Sequence, residues 1–330
     1  MSEHTWFLAG PDGGNPLGFL ATMGLLRIVS ELEAFSPVRL RWVQLGGWHP
    51  EFVWQRPVSP EAILDAVTNR LSETGDRPEF TALGKDLTAS RPEFHAFAAL
   101  AADTATAMER TTADFAAAFG TDALARENEQ MVDTAFRTMA GAGHQHFLET
   151  MRKLIATTTR HQLEKTLLCP WAYDDPMQTL SLRWDPLDDI RYALQHRDPS
   201  GDPSRKQGGS MQGANRLAIE GLPLFPTAAM GSELRTAGFR GQRASDTYWT
   251  WPIWTDPLGM DVIKSLLALR ELSFLGRTAG PKSKPGDSAA ITRETDRSRR
   301  VLSNIGVVEV YRSQRLTISK VRNFTPARSV

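Results

Sequence analysis

The chain opens on a short apolar run, Trp6-Phe7-Leu8-Ala9, which predicts a strand. Gly10-Pro11-Asp12-Gly13-Gly14 then predicts a turn. Asn15 stands where an N-cap belongs, with Pro16 at the first helical position. Leu17, Leu20, Gly24 and Ile28 follow at helical spacing among Phe19, Met23, Leu26 and Val29. That helix is apolar over most of its surface and is expected to be buried. Val38-Arg39-Leu40-Arg41-Trp42 alternates with period two, the pattern of a half-buried strand. Gly46-Gly47 ends it, and Phe52-Val53-Trp54 is the expected hairpin partner. A helix from Pro60 to about Glu73 completes an N-terminal α/β unit, residues 1–90.

From 91 to 169 proline is scarce and Ala, Thr, Glu, Met and Leu dominate, which predicts several helices broken near Gly120 and Gly141-Ala142-Gly143. Phe94, Phe97, Leu100 and Ala101 share one face, and Phe115, Phe119, Met131 and Phe136 carry similar stripes. Residues 170–275 read as a mixed α/β region. Leu180–Trp184 and Tyr248–Trp251 are strand candidates in it, a polar loop begins at Asp198, and a helix is expected from about Leu258 to Leu272, capped by Asp256. Residues 276–300 are Gly, Pro, Ser and charge and read as a mobile basic linker. The alternation from Gly306 to Val321 predicts a β-hairpin, closing a last region of 276–330. The fold class expected is α+β, predominantly helical, with an N-terminal α/β unit, a central helical bundle and a C-terminal β-hairpin.

Composition narrows the function classes. The 330 residues are 41% hydrophobic and 23% charged, with 38 basic and 38 acidic side chains; these are the fractions of a globular protein rather than a disordered one. The single cysteine, Cys169, excludes an internal disulfide and a multi-cysteine metal cluster; between apolar residues and Pro170 it reads as an inert buried thiol. No apolar run reaches membrane-spanning length and the start lacks a signal-peptide pattern, so a cytoplasmic protein without a membrane partner is expected. The zero net charge is uneven: twelve basic and four acidic residues lie from Arg277 onward, a net +8 against −8 in the preceding residues. Such a tail suits either an anionic partner or the chain's own acidic face.

Four groups of residues are candidates for chemistry. The loop GPDGGNPLG precedes a helix, as phosphate-binding loops do, but lacks the lysine and glycine spacings of known nucleotide fingerprints and reads as a structural turn. His144-Gln145-His146 has no metal-ligand spacing and reads as packing at a helix start. Asp174, Asp175, Asp185, Asp188 and Asp189 form two acidic clusters. They read either as turns and caps or as a nuclease site holding Mg2+ or Mn2+, with no cofactor expected otherwise. The span 198–216 unites Arg205, Lys206 and Arg216 with Gly208, Gly209 and Gly213, so cations and backbone amides could approach phosphates together. Arg297, Arg299, Arg300, Arg312 and Arg315 extend that expectation into the tail. Trp249, Trp251 and Trp254 could stack bases but lie in an alternating strand, where aromatics fill a core.

Six segments together resemble a known group of proteins. They are GGNPLGFLATMGLLRIV, GAGHQHFLETMRKL, CPWAYDDP, LRWDPLDDIRYALQHRDPSGDP, GANRLAIEGLPLFPTA and WTWPIWTDPLGMDVIKSLLAL. The set resembles proteins encoded with type I-G (formerly I-U) CRISPR systems. NPLGFLATMGLLR is also similar to the opening of their large-subunit-like proteins, although this chain is much shorter than the largest of those. The resemblance covers about residues 8–272 and brings no catalytic residue with it. It implies a component of antiviral defence, either a large-subunit-like protein or a helicase–nuclease extension, and with no diagnostic catalytic motif in the sequence a non-catalytic role is expected. The implied partners are effector-complex (Cascade) subunits, guide RNA or target DNA, and the helicase–nuclease. In such systems base pairing reads sequence, which leaves backbone and shape to the protein. A metal-dependent nuclease and a protein–protein adaptor without nucleic-acid binding are the alternative readings.

Overall fold

Asn15 sets the first helix. Its Oδ1 accepts hydrogen bonds from the Leu17 N–H (2.8 Å) and the Gly18 N–H (3.2 Å), so α1 (Pro16–Glu31) starts where the sequence places it. The computed structural model describes residues 3–107, 109–124, 129–139, 146–175, 180–187, 209–241, 246–275, 287–318 and 321–330. Every residue from Pro16 to Val29 is buried, so α1 needs packing partners on all sides.

The first partner is an antiparallel sheet. Strands β1 (His4–Phe7), β2 (Arg39–Gln44) and β3 (Trp48–Trp54) pair with Trp6 and Leu40 both opposite Phe52. In β2 the alternation holds: Leu40 and Trp42 are buried while Arg39 and Arg41 reach outward toward Glu3 and Glu51.

Helices follow. They are α2 (Pro60–Ser72), the single turn α3 (Pro78–Thr81), α4 (Arg91–Thr104), α5 (Thr111–Phe119), α6 (Phe147–Thr157) and α7 (Arg160–Leu168). Capping boxes start α4 (Ser90 with Glu93) and α7 (Thr159 with Gln162). Gly120 ends α5 and opens the two-residue strand β4 (Gly120–Thr121), paired with β5 (Val132–Asp133). Leu100 departs from the expected buried stripe of α4, at 64% exposure, whereas Phe94, Phe97 and Ala101 are buried.

The second partner of α1 is α8 (Gln212–Gly221), all ten residues of which are buried. The two helices touch through glycines. A Cβ on Gly24 would lie 1.8 Å from the Leu217 carbonyl oxygen, and one on Gly221 would lie 2.5 Å from that of Leu20. Segment 180–184 is not the expected strand. Leu182 and Trp184 are buried, but the Leu182 N–H donates to Asn215 Oδ1 in α8 (2.9 Å) instead of joining a ladder.

Most of the remaining strands build a second sheet. A hairpin, β6 (Thr227–Met230) with β7 (Glu233–Thr236), leads to β8 (Phe239–Arg240), β9 (Tyr248–Trp254) and β10 (Leu258–Gly259). Two short helices, α9 (Met260–Leu267) and α10 (Arg270–Phe274), replace the single helix expected over 258–272. Leu258 and Gly259 pair instead with Leu40 and Arg39 as the last strand of the first sheet, and Gly259 rather than Asp256 is the N-cap. The expected linker also differs: Asp287–Asn304 forms the helix α11, while 276–286 lies outside the described residues. β11 (Val307–Ile318), β12 (Val321–Phe324) and β13 (Arg328–Ser329) complete the sheet, in the order β12–β11–β9–β8 with β13 also on β11.

Phe19 is where the two sheets meet. The rings of Trp42 from the first sheet and of Trp249, Trp251 and Trp254 from the second lie between 5.7 and 6.5 Å from it, centroid to centroid. The chain is therefore α+β, built on small antiparallel sheets and buried helices. Among the described residues no helix is long and apolar enough to cross a membrane.

Candidate nucleic-acid interface

In α11 the arginines sort by helical position. Arg293, Arg297 and Arg300 stand at i, i+4 and i+7, hence on one face, and all three are exposed. Ser298 and Leu302 point the other way and are buried, Leu302 as part of the hydrophobic core. The stripe therefore faces away from the body of the protein. At about 1.5 Å per residue it spans roughly 10 Å, comparable to about three successive phosphates of one strand. Glu294 is drawn off the stripe toward Arg270 (3.6 Å), Asp296 is exposed beside it, and Arg299 is exposed on its flank.

A second basic feature lies where β7, β8 and α10 meet the β11–β12 hairpin. A cleft of about 540 Å³ is lined there by Arg235, Arg240, Arg315 and Arg322, with Phe239 and Phe274 among its walls. Arg315 is only 8% exposed. Its Nη1 donates to the Ala135 carbonyl (2.6 Å), while its Nε–H is buried without a hydrogen-bond partner among the described residues. Burial and the neighbouring Arg322 push its pKa down to about 10, the mark of a guanidinium short of negative charge. Asp133 also lines the cleft but is committed to Arg137, which holds Asp86 as well (3.0 Å). Arg312, on the same strand, lies over the Tyr248 ring at 3.5 Å from its centroid.

Other sequence candidates fall elsewhere. Arg205 and Lys206 lie outside the described residues. Arg216 does not belong to a phosphate-binding loop: residues 212–221 are helical, and Arg216 is 1% exposed. Its guanidinium meets Glu220 (2.9 Å) and Thr74 Oγ1 (2.7 Å), leaving nothing to offer a phosphate. Gly213, read as a loop glycine, is a packing glycine, since a Cβ there would lie 2.4 Å from Thr166 Oγ1.

The described acidic residues, Asp174, Asp175 and Asp185, are each committed to separate partners. Asp174 is exposed and pairs with Lys165. Asp175 is buried and accepts from the Gln212 N–H at the start of α8 (2.9 Å). Asp185 accepts from Asn15 Nδ2 (3.0 Å), Tyr173 Oη (2.8 Å) and the Leu187 N–H (2.8 Å), while burial pushes its pKa up. These are structural posts for the start of α1 and the start of α8. Asp188 and Asp189 lie outside the described residues, as do His144 and Gln145; His146 is the N-cap residue of α6. Among the described residues no group of three or more His, Cys, Asp or Glu is placed to hold a metal ion. Cys169 is exposed rather than buried, at the C-cap position just past the end of α7.

The first glycine loop is a structural turn. Asp12 Oδ1 accepts from the Gly14 and Trp48 N–H groups, and the Gly13 carbonyl accepts from Trp251 Nε1 (2.7 Å). The tryptophans of β9 are core: Trp249, Trp251 and Trp254 are at most 1% exposed, and Trp254 Nε1 donates to the Leu40 carbonyl. Arg235 and Arg240 lie outside the regions the sequence marks as basic candidates, whereas Arg293 and Arg322 fall within the basic tail. Only Arg293 left a local signal, its spacing from Arg297 and Arg300. No protein family, curated protein or solved structure matches this chain at a significant level.

Proposed function

We propose that this chain is a non-catalytic subunit or accessory of a type I-G CRISPR RNA-guided interference complex. It touches the backbone of the guide RNA or the target DNA and helps recruit the helicase–nuclease in antiviral defence, in the cytoplasm. The motif resemblance supplies the system. The observation that carries the physical part is the stripe of Arg293, Arg297 and Arg300, held at regular spacing on the outward face of a docked helix. Flexible guanidiniums in solvent read charge and spacing, not base identity, which is the task left to protein when base pairing reads sequence.

The test pairs two measurements. Co-expression with the neighbouring CRISPR proteins and guide RNA, followed by pull-down after nuclease treatment, is expected to retain the chain in the complex. Binding of that complex to target DNA, titrated with salt, is expected to weaken when the three arginines become glutamine, with the slope of log K against log salt falling by about 3. Recovery of the chain alone overturns the subunit reading. An unchanged slope overturns the role of the stripe.

A further inference from the structure

Arg315 presents an unusual arrangement. A guanidinium more than nine-tenths buried keeps its Nε–H without a partner, and it does so on the wall of an open cleft. Leaving a charged donor buried and unmet is costly, and the nearest carboxylate in the cleft, Asp133, is already paired with Arg137. An anion entering the cleft would meet the Arg315 side chain where it lines the wall, with Arg240 and Arg322 also among the lining residues. The other acidic lining residues, Glu233 and Asp246, are exposed, so solvent screens their charge. The volume, about 540 Å³, falls in the range of small-molecule sites and is larger than an inorganic anion needs. The half-buried ring of Phe274 supplies an apolar wall of the kind on which a base stacks.

We propose that this cleft holds a single nucleotide unit, its phosphate on the Arg315 guanidinium beside Arg240 and Arg322 and its base against Phe274. The unit is either a free mononucleotide or one residue of a bound strand. The strand-borne form rests on the backbone-contact reading above; the free form does not.

Titration calorimetry of the full chain separates them, with adenosine 5′-monophosphate and a 5′-phosphorylated ten-residue thymidine oligonucleotide as probes. Arg315→Lys and Phe274→Ala are each expected to weaken both ligands by roughly tenfold or more. Replacing Arg293, Arg297 and Arg300 by glutamine is expected to weaken the oligonucleotide alone. Phe274 is half-exposed, so its variant carries the test even where Arg315→Lys unfolds, with thermal melts reporting which is the case. Wild-type affinity for both ligands in folded Phe274→Ala, or no binding of either ligand to the wild-type chain, overturns the cleft. Oligonucleotide binding lost only in the α11 variant keeps the backbone reading and removes the cleft. Mononucleotide binding that depends on Phe274, with no oligonucleotide binding, keeps the cleft as a free-nucleotide site and removes the strand-borne form.

Discussion

At the scale of single residues the chain spends its charge in two ways. In α8, Glu220 is 2% exposed and meets Arg216 and Arg27, each at 2.9 Å. Burial alone would raise its pKa, but Arg216, Arg27 and Arg77 together hold it below the ordinary 4.5. The folded protein therefore binds fewer protons at this site than the unfolded chain does. The stability it contributes is complete above about pH 4.5 and is lost as pH falls through the folded-state value. Glu220→Gln strands the buried Arg216 guanidinium and leaves Arg27 with Glu31 as its carboxylate partner, and is expected to cost about 3 kcal/mol at neutral pH, while flattening that part of the acid limb; urea melts across pH check both. The arginines of α11 and Arg315 are used the opposite way, left with charge in hand. Sequence could not separate the two uses. Arg216 sits beside Gly213 and a polar run just as a phosphate-binding arginine would, and only the helix that buries it, with Glu220 one turn on, reveals the pairing. Caps and tryptophans were more legible: Asn15-Pro16 is a local signal, and alternation in Tyr248–Trp251 marks buried rings directly.

Elements were readable in proportion to how local their causes are. Helix α1, the β2–β3 hairpin, α2 and β9 follow from apolar period, proline and glycine, and they stand where the pattern puts them. Where neighbours decide, the pattern misleads. Leu180–Trp184 alternates but satisfies its backbone on Asn215 of α8, and Leu258-Gly259 completes a sheet edge instead of beginning a helix. Helix α11 was hidden by its polar composition, since few of its side chains, Ser298 and Leu302 among them, are buried. The crossing of α1 and α8 makes the strongest demand on sequence at this scale. Gly24 allows two helix backbones to approach within the space of one methyl group, and the obstacle to any larger residue is the Leu217 carbonyl, which cannot rotate aside. Gly24→Ala is expected to destabilise the protein by about 3 kcal/mol or more, the upper range for overpacking, despite the better helix propensity of alanine; the denaturation midpoint reads this out.

For the whole molecule, the expected divisions at 90, 169 and 275 are crossed by one continuous core that runs from Trp6 to Phe324. Strand β11 is the clearest case. It pairs with β9 along seven residue positions, brings Tyr311 onto Trp251, and places Glu309 in a hydrogen bond with Trp48 of the first sheet. A chain ending at Gly306 is expected to lack a cooperative melt and a protected tryptophan core, as measured by fluorescence and hydrogen exchange. The same long-range pairing sets an order of events during synthesis. The residues of the first sheet leave the ribosome early, yet β10 and β11 must reach them from more than two hundred positions further on. At roughly 5–20 residues per second the interval is on the order of tens of seconds. Through it, the apolar surface of α1 is without its final cover, and a chaperone or a complex partner has its opportunity to bind the nascent chain before the protein can shut that surface away.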